Sequence, residues 1–267
     1  MVDLVQDSYT LKGKDLLYII GISDIHRGNP GCNEEYLDYW LKMVNKIKNP
    51  KIIIDVGDLV EVGSKHIGNS AFKQNKSLDT QIIETEEFFD PLVDDLAFLM
   101  NSNHNKRTER EFDLSLNRLM AHHLDLPYGN QYHQTFMING KPFTIYANHG
   151  KGSNAYAHLA QGRLIRETSH IDADLILQGH NHRLDFFTHP IRDLNTDKGM
   201  KRRYYAFTGA FLNYDGYPDE MLLPPLPPAF QFLTVDKNLN VWNIPYYIDQ
   251  RRPDLMEDFN ELAYRRT

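Results

Sequence analysis

Residues 16–22 (LLYIIGI) run without a break into Ser23-Asp24-Ile25-His26, and residues 51–56 (KIIIDV) into Gly57-Asp58. A short apolar run bounded by Gly and polar residues reads as a buried strand. The arrangement returns three more times. Residues 96–100 (LAFLM) end in Asn101-Ser102-Asn103-His104, residues 142–147 (PFTIYA) in Asn148-His149-Gly150, and residues 175–178 (LILQ) in Gly179-His180-Asn181-His182. Helical patterns lie between these runs. Residues 34–48 place Tyr36, Leu37, Trp40, Leu41, Val44 and Ile47 at helical spacing, and 109–124 and 155–169 read the same way. Residues 80–95 read as a helix interrupted before Pro91, because proline removes an N–H and crowds the preceding turn. Strands alternating with helices predict an α/β fold.

The last third changes character. Residues 184–188, 203–208, 230–235 and 241–244 read as strands, with a weak helical signal at 255–264. A second, more antiparallel sheet there predicts a two-sheet β-sandwich flanked by helices, with residues 1–267 as a single domain. The segment 214–228, rich in Pro and aromatics, reads as an ordered surface loop; 63–80 reads as a long loop of little periodicity carrying Lys65, His66, Lys73 and Lys76.

Composition narrows the class. The 267 residues suffice for a large core, and 41% hydrophobic with 12% aromatic content argues against disorder. A formal net charge of −7 gives no whole-surface attraction to nucleic acid or anionic membrane, although a local basic site is compatible with it. The single Cys32 forbids an internal disulfide and fits a reducing compartment. With no signal-like apolar run at the start and no stretch of membrane-spanning length, the expectation is a cytoplasmic protein without membrane contact.

Taken singly, an Asp-x-His or Gly-Asp pair is weak, since a lone His is more often a surface or core residue than a ligand. Five such clusters, each where a strand ends, are a different matter: in open α/β sheets the site lies at the carboxyl ends of the strands. Carboxylate, amide and imidazole donors suit borderline divalent metals, and the lack of a thiolate argues against structural zinc.

The order Asp-x-His, Gly-Asp, Asn-His, His, Gly-His-x-His resembles the calcineurin-like metallophosphoesterase superfamily over roughly residues 24–182. The resemblance implies that Asp24, His26 and His182 bind one divalent ion, that Asn103, His149 and His180 bind a second, and that Asp58 bridges both. Mn²⁺ is the expected metal, with Fe²⁺, Zn²⁺ or Ni²⁺ as alternatives. A hydroxide held between the two ions would be the nucleophile. His104 would act as an acid toward the leaving oxygen. In some members an acidic residue three positions after the bridging Asp orients the catalytic His; that position is Glu61, and a carboxylate there would raise the imidazole pKa.

The sequence departs from the pattern in places. The third element reads Ser102-Asn103-His104-Asn105, without the usual leading Gly and following acid. Val62 stands where protein phosphatases carry Arg, which weakens that assignment. Arg27, Lys106 and Arg107 lie near the ligand loops, and Arg27 and Arg107 are candidates to hold a non-scissile phosphate. Lys151-Gly152-Ser153-Asn154 is a candidate anion cradle or a plain helix cap. The reading that follows is a phosphodiesterase or nuclease acting on nucleic acid or nucleotides, with a loose likeness to small phosphoesterases often carried by phages. A phosphomonoesterase for a small metabolite, nucleotide or phosphoprotein is the alternative. A catalytically silent metal-binding scaffold is the third, disfavoured because every ligand and His104 are retained.

Overall fold

The computed structural model describes residues 8–63, 74–152, 156–192, 199–213 and 226–247. Its strands are β1 (Ser8–Tyr9), β2 (Leu17–Ile22), β3 (Lys51–Asp55), β4 (Leu96–Met100), β5 (Tyr128–Gly129), β6 (Gln131–Ile138), β7 (Lys141–Asn148), β8 (Leu175–Gln178), β9 (Leu184–Arg192), β10 (Met200–Thr208), β11 (Ala229–Val235) and β12 (Val241–Tyr247). The helices are α1 (Glu34–Lys46), α2 (Leu78–Phe89), α3 (Asn105–Phe112), α4 (Leu116–His123) and α5 (Ala157–Glu167). One sheet runs β12-β11-β2-β3-β4-β5 and the other β1-β6-β7-β8-β10-β9. This is an α/β sandwich of two mixed sheets with helices packed on its faces.

The continuous apolar runs have a simple cause. Alternate residues of a strand point to opposite faces, and here both faces are covered. Leu17, Ile19, Ile52, Ile54, Phe98 and Met100 meet Phe136, Phe143, Ile145, Leu175 and Leu177 between the sheets. Their neighbours Ile20, Ile22, Ile53 and Leu99 point outward, against Leu37, Trp40 and Val44 of α1 and Phe88 and Phe89 of α2. On the outer face of the second sheet, Ile176, Tyr205 and Phe207 pack against Ala160 and Leu164 of α5. Trp40 is wholly buried; replacing a buried aromatic of this kind by Ala costs about 3–5 kcal/mol. α1 begins where Asn33 Oδ1 accepts from the Tyr36 amide at 2.9 Å, with Glu34 and Glu35 in the first turn facing the positive end of the helix dipole. The outer strands β9 and β12 carry the exposed prolines Pro190 and Pro245, which blunt a sheet edge because proline offers no donor to an added strand.

Several expectations change. Residues 109–124 are not one helix: α3 ends at Phe112, Asp113 turns left-handed (φ 53°), and α4 begins at Leu116. The apolar spacing continues across the break, so periodicity alone hides it. The final strands do not form the second sheet together. β11 and β12 join the first sheet through β2, while β7 and β8 belong to the second. The strand β6, paired with β7 over its whole length, was missed because the first half of QYHQTFMI is mostly polar and only its last three residues are apolar. The long loop read at 63–80 ends early, since Ser77 caps α2. Residues 64–73, 214–225 and the helical signal at 255–264 lie outside the described residues.

Candidate metal centre

The five clusters meet where the carboxyl ends of β2, β3 and β4 face those of β7 and β8. Asp24 Oδ1 lies 3.3 Å from His182 Nε2 and 3.8 Å from His26 Nε2, and the two imidazole nitrogens are 3.3 Å apart. Asp58 Oδ2 lies 3.0 Å from His149 Nε2, which is 2.8 Å from Asn103 Oδ1 and 3.3 Å from His180 Nδ1. The same Asp58 oxygen stands 3.9 Å from His26 Nε2 and 3.8 Å from His104 Nε2. Asp24, His26 and His182 thus form one set of converging donors, and Asp58, His149 and His180 another, each with its donor atoms within 4.8 Å of one another. Asp58 sits between them.

These groups can hold metal, and two observations test the fit. Asp24 Oδ1 is fully buried with no hydrogen-bond partner; a bare buried carboxylate oxygen is costly unless a cation faces it. The second is backbone strain. Asp24, His26, Asp58, His180 and His182 all take positive φ, at 52°, 52°, 56°, 67° and 53°. Each costs about 1–2 kcal/mol for an L-residue, and such strain persists where the surroundings impose it, commonly at functional sites. Five of the ten non-glycine residues with positive φ among the described residues lie in this cluster.

Hydrogen bonds aim the imidazoles. His149 Nδ1 donates to the Val56 carbonyl at 2.8 Å, leaving Nε2 to face Asp58 and Asn103. His26 Nδ1 pairs with Glu61 Oε2 at 3.0 Å, leaving Nε2 toward Asp24 and His182. Glu61 is therefore a carboxylate behind His26, not behind His104. The expected contact to His104 is a 3.8 Å approach, and His104 Nδ1 instead donates to the Glu61 backbone carbonyl at 2.6 Å. The expected rise in the His104 pKa is also reversed. Burial and the positive neighbours His26 and Arg107 outweigh the charges of Asp58 and Glu61 and lower it to about 4.

Arg107 reaches the centre. Its Nη2 donates to His104 Nε2 at 2.8 Å, and its Nη1 to the carbonyls of Glu61 and Val62 at 3.0 and 3.2 Å. Arg27 does not, and its reading as a phosphate contact is corrected. It is buried, donates to the Glu84 carbonyl, pairs with Glu34 at 3.2 Å and lies over the Phe88 ring. Its backbone pairs alongside Val60, and its side chain runs between α1 and α2. Lys106 is exposed. The centre opens on the side of Asn103, His180 and His182, which are exposed or half-buried while Asp24, His26 and Asp58 are buried.

Sequence reading missed Asp55. Its Oδ1 accepts from the Gly57 amide and its Oδ2 from the Met100 amide, both at 2.7 Å. It thereby ties the loop of Asp58 to the strand that leads into Asn103. The signal was present, as a carboxylate inside the apolar run KIIIDV. Gly57 is required on two counts: its φ is +100°, and a Cβ there would stand 2.6 Å from His149 Nδ1. Gly57→Ala is expected to lower stability by about 1–3 kcal/mol and to weaken metal uptake, read as a fall in Tm and in bound Mn²⁺; an unchanged Tm would remove the packing argument.

The electrostatics predict how uptake depends on pH. Burial alone would lower the pKa of His26 and His149. Hydrogen bonds to Asp24 and Glu61 outweigh it at His26, and Asp58 outweighs it at His149, raising them to about 10 and about 9. Both groups hold protons at neutral pH in the metal-free protein, and metal must displace them. Apparent Mn²⁺ affinity is expected to rise about tenfold per pH unit for each proton released, from pH 6 to pH 8. Calorimetry in buffers of different ionisation enthalpy measures the release, and proton-independent uptake would contradict it.

The Asp-x-His, Gly-Asp, Asn-His, His and Gly-His-x-His loops, in this order along the chain, gather where the strand ends of two mixed sheets meet. The chain folds as an α/β sandwich of two mixed sheets. Neither a scan against protein-family models nor a search of curated proteins finds a match. Solved structures similar to it include Vacuolar Protein Sorting 29 from Cryptosporidium parvum, 13% identical over 88% of this chain and 98% of that one (TM-score 0.41). A predicted phosphoesterase from Streptococcus pneumoniae is 11% identical over 88% and 100% (TM-score 0.40). Vps29 from Entamoeba histolytica, solved in complex with zinc, is 12% identical over 88% and 99% (TM-score 0.42). No helix of the described residues is long and apolar enough to cross a membrane.

Proposed function

We propose that the protein is a dinuclear-metal phosphoesterase that hydrolyses phosphodiesters, with nucleic acid or nucleotides as the substrate class. The observation that carries this reading is the position of Asp58 between two sets of donors, with His104 beside it. Asp24, His26 and His182 would hold one divalent ion and Asn103, His149 and His180 the other, with Asp58 shared; Mn²⁺ is the preferred metal. Two such ions supply charge neutralisation for the phosphoryl oxygens and a nucleophile from water near neutral pH.

The remaining work falls to the chain's own groups. The open side at Asn103, His180 and His182 admits the ester. His104 Nε2 faces the same space; it accepts from Arg107 here, so to move a proton to the leaving oxygen it must first take one from solvent as Arg107 turns to the phosphate. The Glu61 carbonyl fixes its ring through Nδ1, and the Glu61 carboxylate holds His26. Arg107, already against His104, is the cation placed to contact a non-bridging phosphate oxygen, for which a guanidinium fork is suited. One such cation matches the single charge of a diester better than a dianionic monoester.

The test is Mn²⁺-dependent hydrolysis of bis-p-nitrophenyl phosphate and p-nitrophenyl phosphate side by side. Preference for the diester supports the reading. Preference for the monoester replaces it with a phosphomonoesterase, and no turnover of either with any divalent metal removes both in favour of a scaffold.

A further inference from the structure

We infer that Ser23 and Thr208 form a positioning relay that crosses the sandwich and holds one oxygen of Asp24, so that its other oxygen is presented to a metal. The inference rests on Asp24 being a metal ligand, as proposed above. Ser23 Oγ donates to Asp24 Oδ2, and Thr208 Oγ1 stands 2.5 Å from Ser23 Oγ. Proton counting gives the direction. A carboxylate oxygen only accepts, so the bond between Ser23 Oγ and Asp24 Oδ2 takes the Ser23 proton. The single Ser23 proton is therefore spent on Asp24, and Thr208 must donate to Ser23. The Gln178 carbonyl, at 3.3 Å from Thr208 Oγ1, is the weaker acceptor. The His180 amide adds a second donor to Asp24 Oδ2 at 2.9 Å.

The result is an asymmetric carboxylate. Oδ2 is bonded by Ser23 and His180, while Oδ1 is buried without a partner and faces His182. Held this way, Asp24 offers one oxygen rather than two. All three side chains are buried, with Ser23, Asp24 and Thr208 at 1%, 0% and 4% exposure, so no bulk water replaces a lost hydroxyl. Thr208 ends β10 in one sheet and Ser23 follows β2 in the other, so the relay also sets the spacing of the sheets beside the centre. Gly21 makes the approach possible, since a Cβ there would stand 2.6 Å from Thr208 Cγ2. The relay bonds Asp24 directly and meets the second donor set through the His180 amide, so the effect falls first on the Asp24 set.

The experiment is Mn²⁺ binding by calorimetry to the full chain and to Ser23→Ala, Thr208→Val and Thr208→Ser. Thr208→Val keeps the side-chain shape and removes only the hydroxyl, and serves if Ser23→Ala does not fold. The set is repeated in a His149→Ala background, which isolates the Asp24 site. Loss of a partner behind a ligand typically lowers metal affinity 10–100-fold. The expected result is a loss of that size at the Asp24 site for Ser23→Ala and Thr208→Val, unchanged affinity at the other site, and wild-type binding by Thr208→Ser. Folded variants that bind both ions as wild type does, or that lose both sites equally, overturn the relay. A lower Tm without a change in affinity means a structural role only and overturns it too. Wild-type protein that takes up no metal overturns the metal-centre reading itself, and the relay with it.

Discussion

Asp58→Asn is expected to lower kcat/KM for bis-p-nitrophenyl phosphate by about 10³-fold or more while the fold persists. Asp58 Oδ2 lies 3.0 Å from His149 Nε2 and 3.9 Å from His26 Nε2, so one atom serves both donor sets. Its carboxylate is held ionised against its burial chiefly by His149, with His26 adding to it. An amide keeps the shape but loses the charge and one of the two acceptor oxygens. Metal-borne charge stabilisation contributes several kcal/mol to a phosphoryl transition state, and each 1.4 kcal/mol is about tenfold in rate. The variant should retain less than two equivalents of Mn²⁺ by elemental analysis. Near-normal turnover with both equivalents bound would sink the bridging role.

His104→Ala has the second largest expected effect, about 10²–10⁴-fold on kcat, as for loss of a positioned proton donor. Both metal equivalents should remain, because the proposed ligands are left in place and His104 Nε2, within 4.8 Å of donors of His26 and Asp58, is engaged by Arg107 at 2.8 Å. The loss should be greatest for esters with alkoxide leaving groups and least for p-nitrophenolate, which departs without a proton. Equal slowing across leaving groups would assign His104 to binding and not to proton transfer.

Much of the centre was legible in one dimension. Asp24, His26, Asp58, His149, His180 and His182 each close an apolar run, and the helix of 34–48 was readable from its spacing. These features are local, because a strand with both faces buried must be apolar throughout and its polar residues are displaced to its end. Glu61 was legible as a partner for an imidazole, but the wrong one was chosen. His26 and His104 both approach it, and a rotation of one side chain decides between them, which spacing does not encode. Arg27 was misread because adjacency to ligands along the chain says nothing about direction; its side chain fills the seam between α1 and α2 beside Phe88. The break at Asp113 was hidden because apolar periodicity continues through it.

The sequence by itself determined the α/β class, the strand ends that carry the donors, and a donor set of oxygens and imidazoles without thiolate. Those depend on residue type and on neighbours a few positions away. Only the tertiary structure decided which strands share a sheet, which atom of each ligand faces inward, and what stands behind it. Ser23 and Thr208 are 185 positions apart and meet through a 2.5 Å contact. Asp24 Oδ2 is claimed by the adjacent Ser23 hydroxyl and by the His180 amide from the loop after β8, which leaves Oδ1 toward His182. Such pairings arise when two sheets close on one another, and a contact made by closure leaves no local trace in the chain.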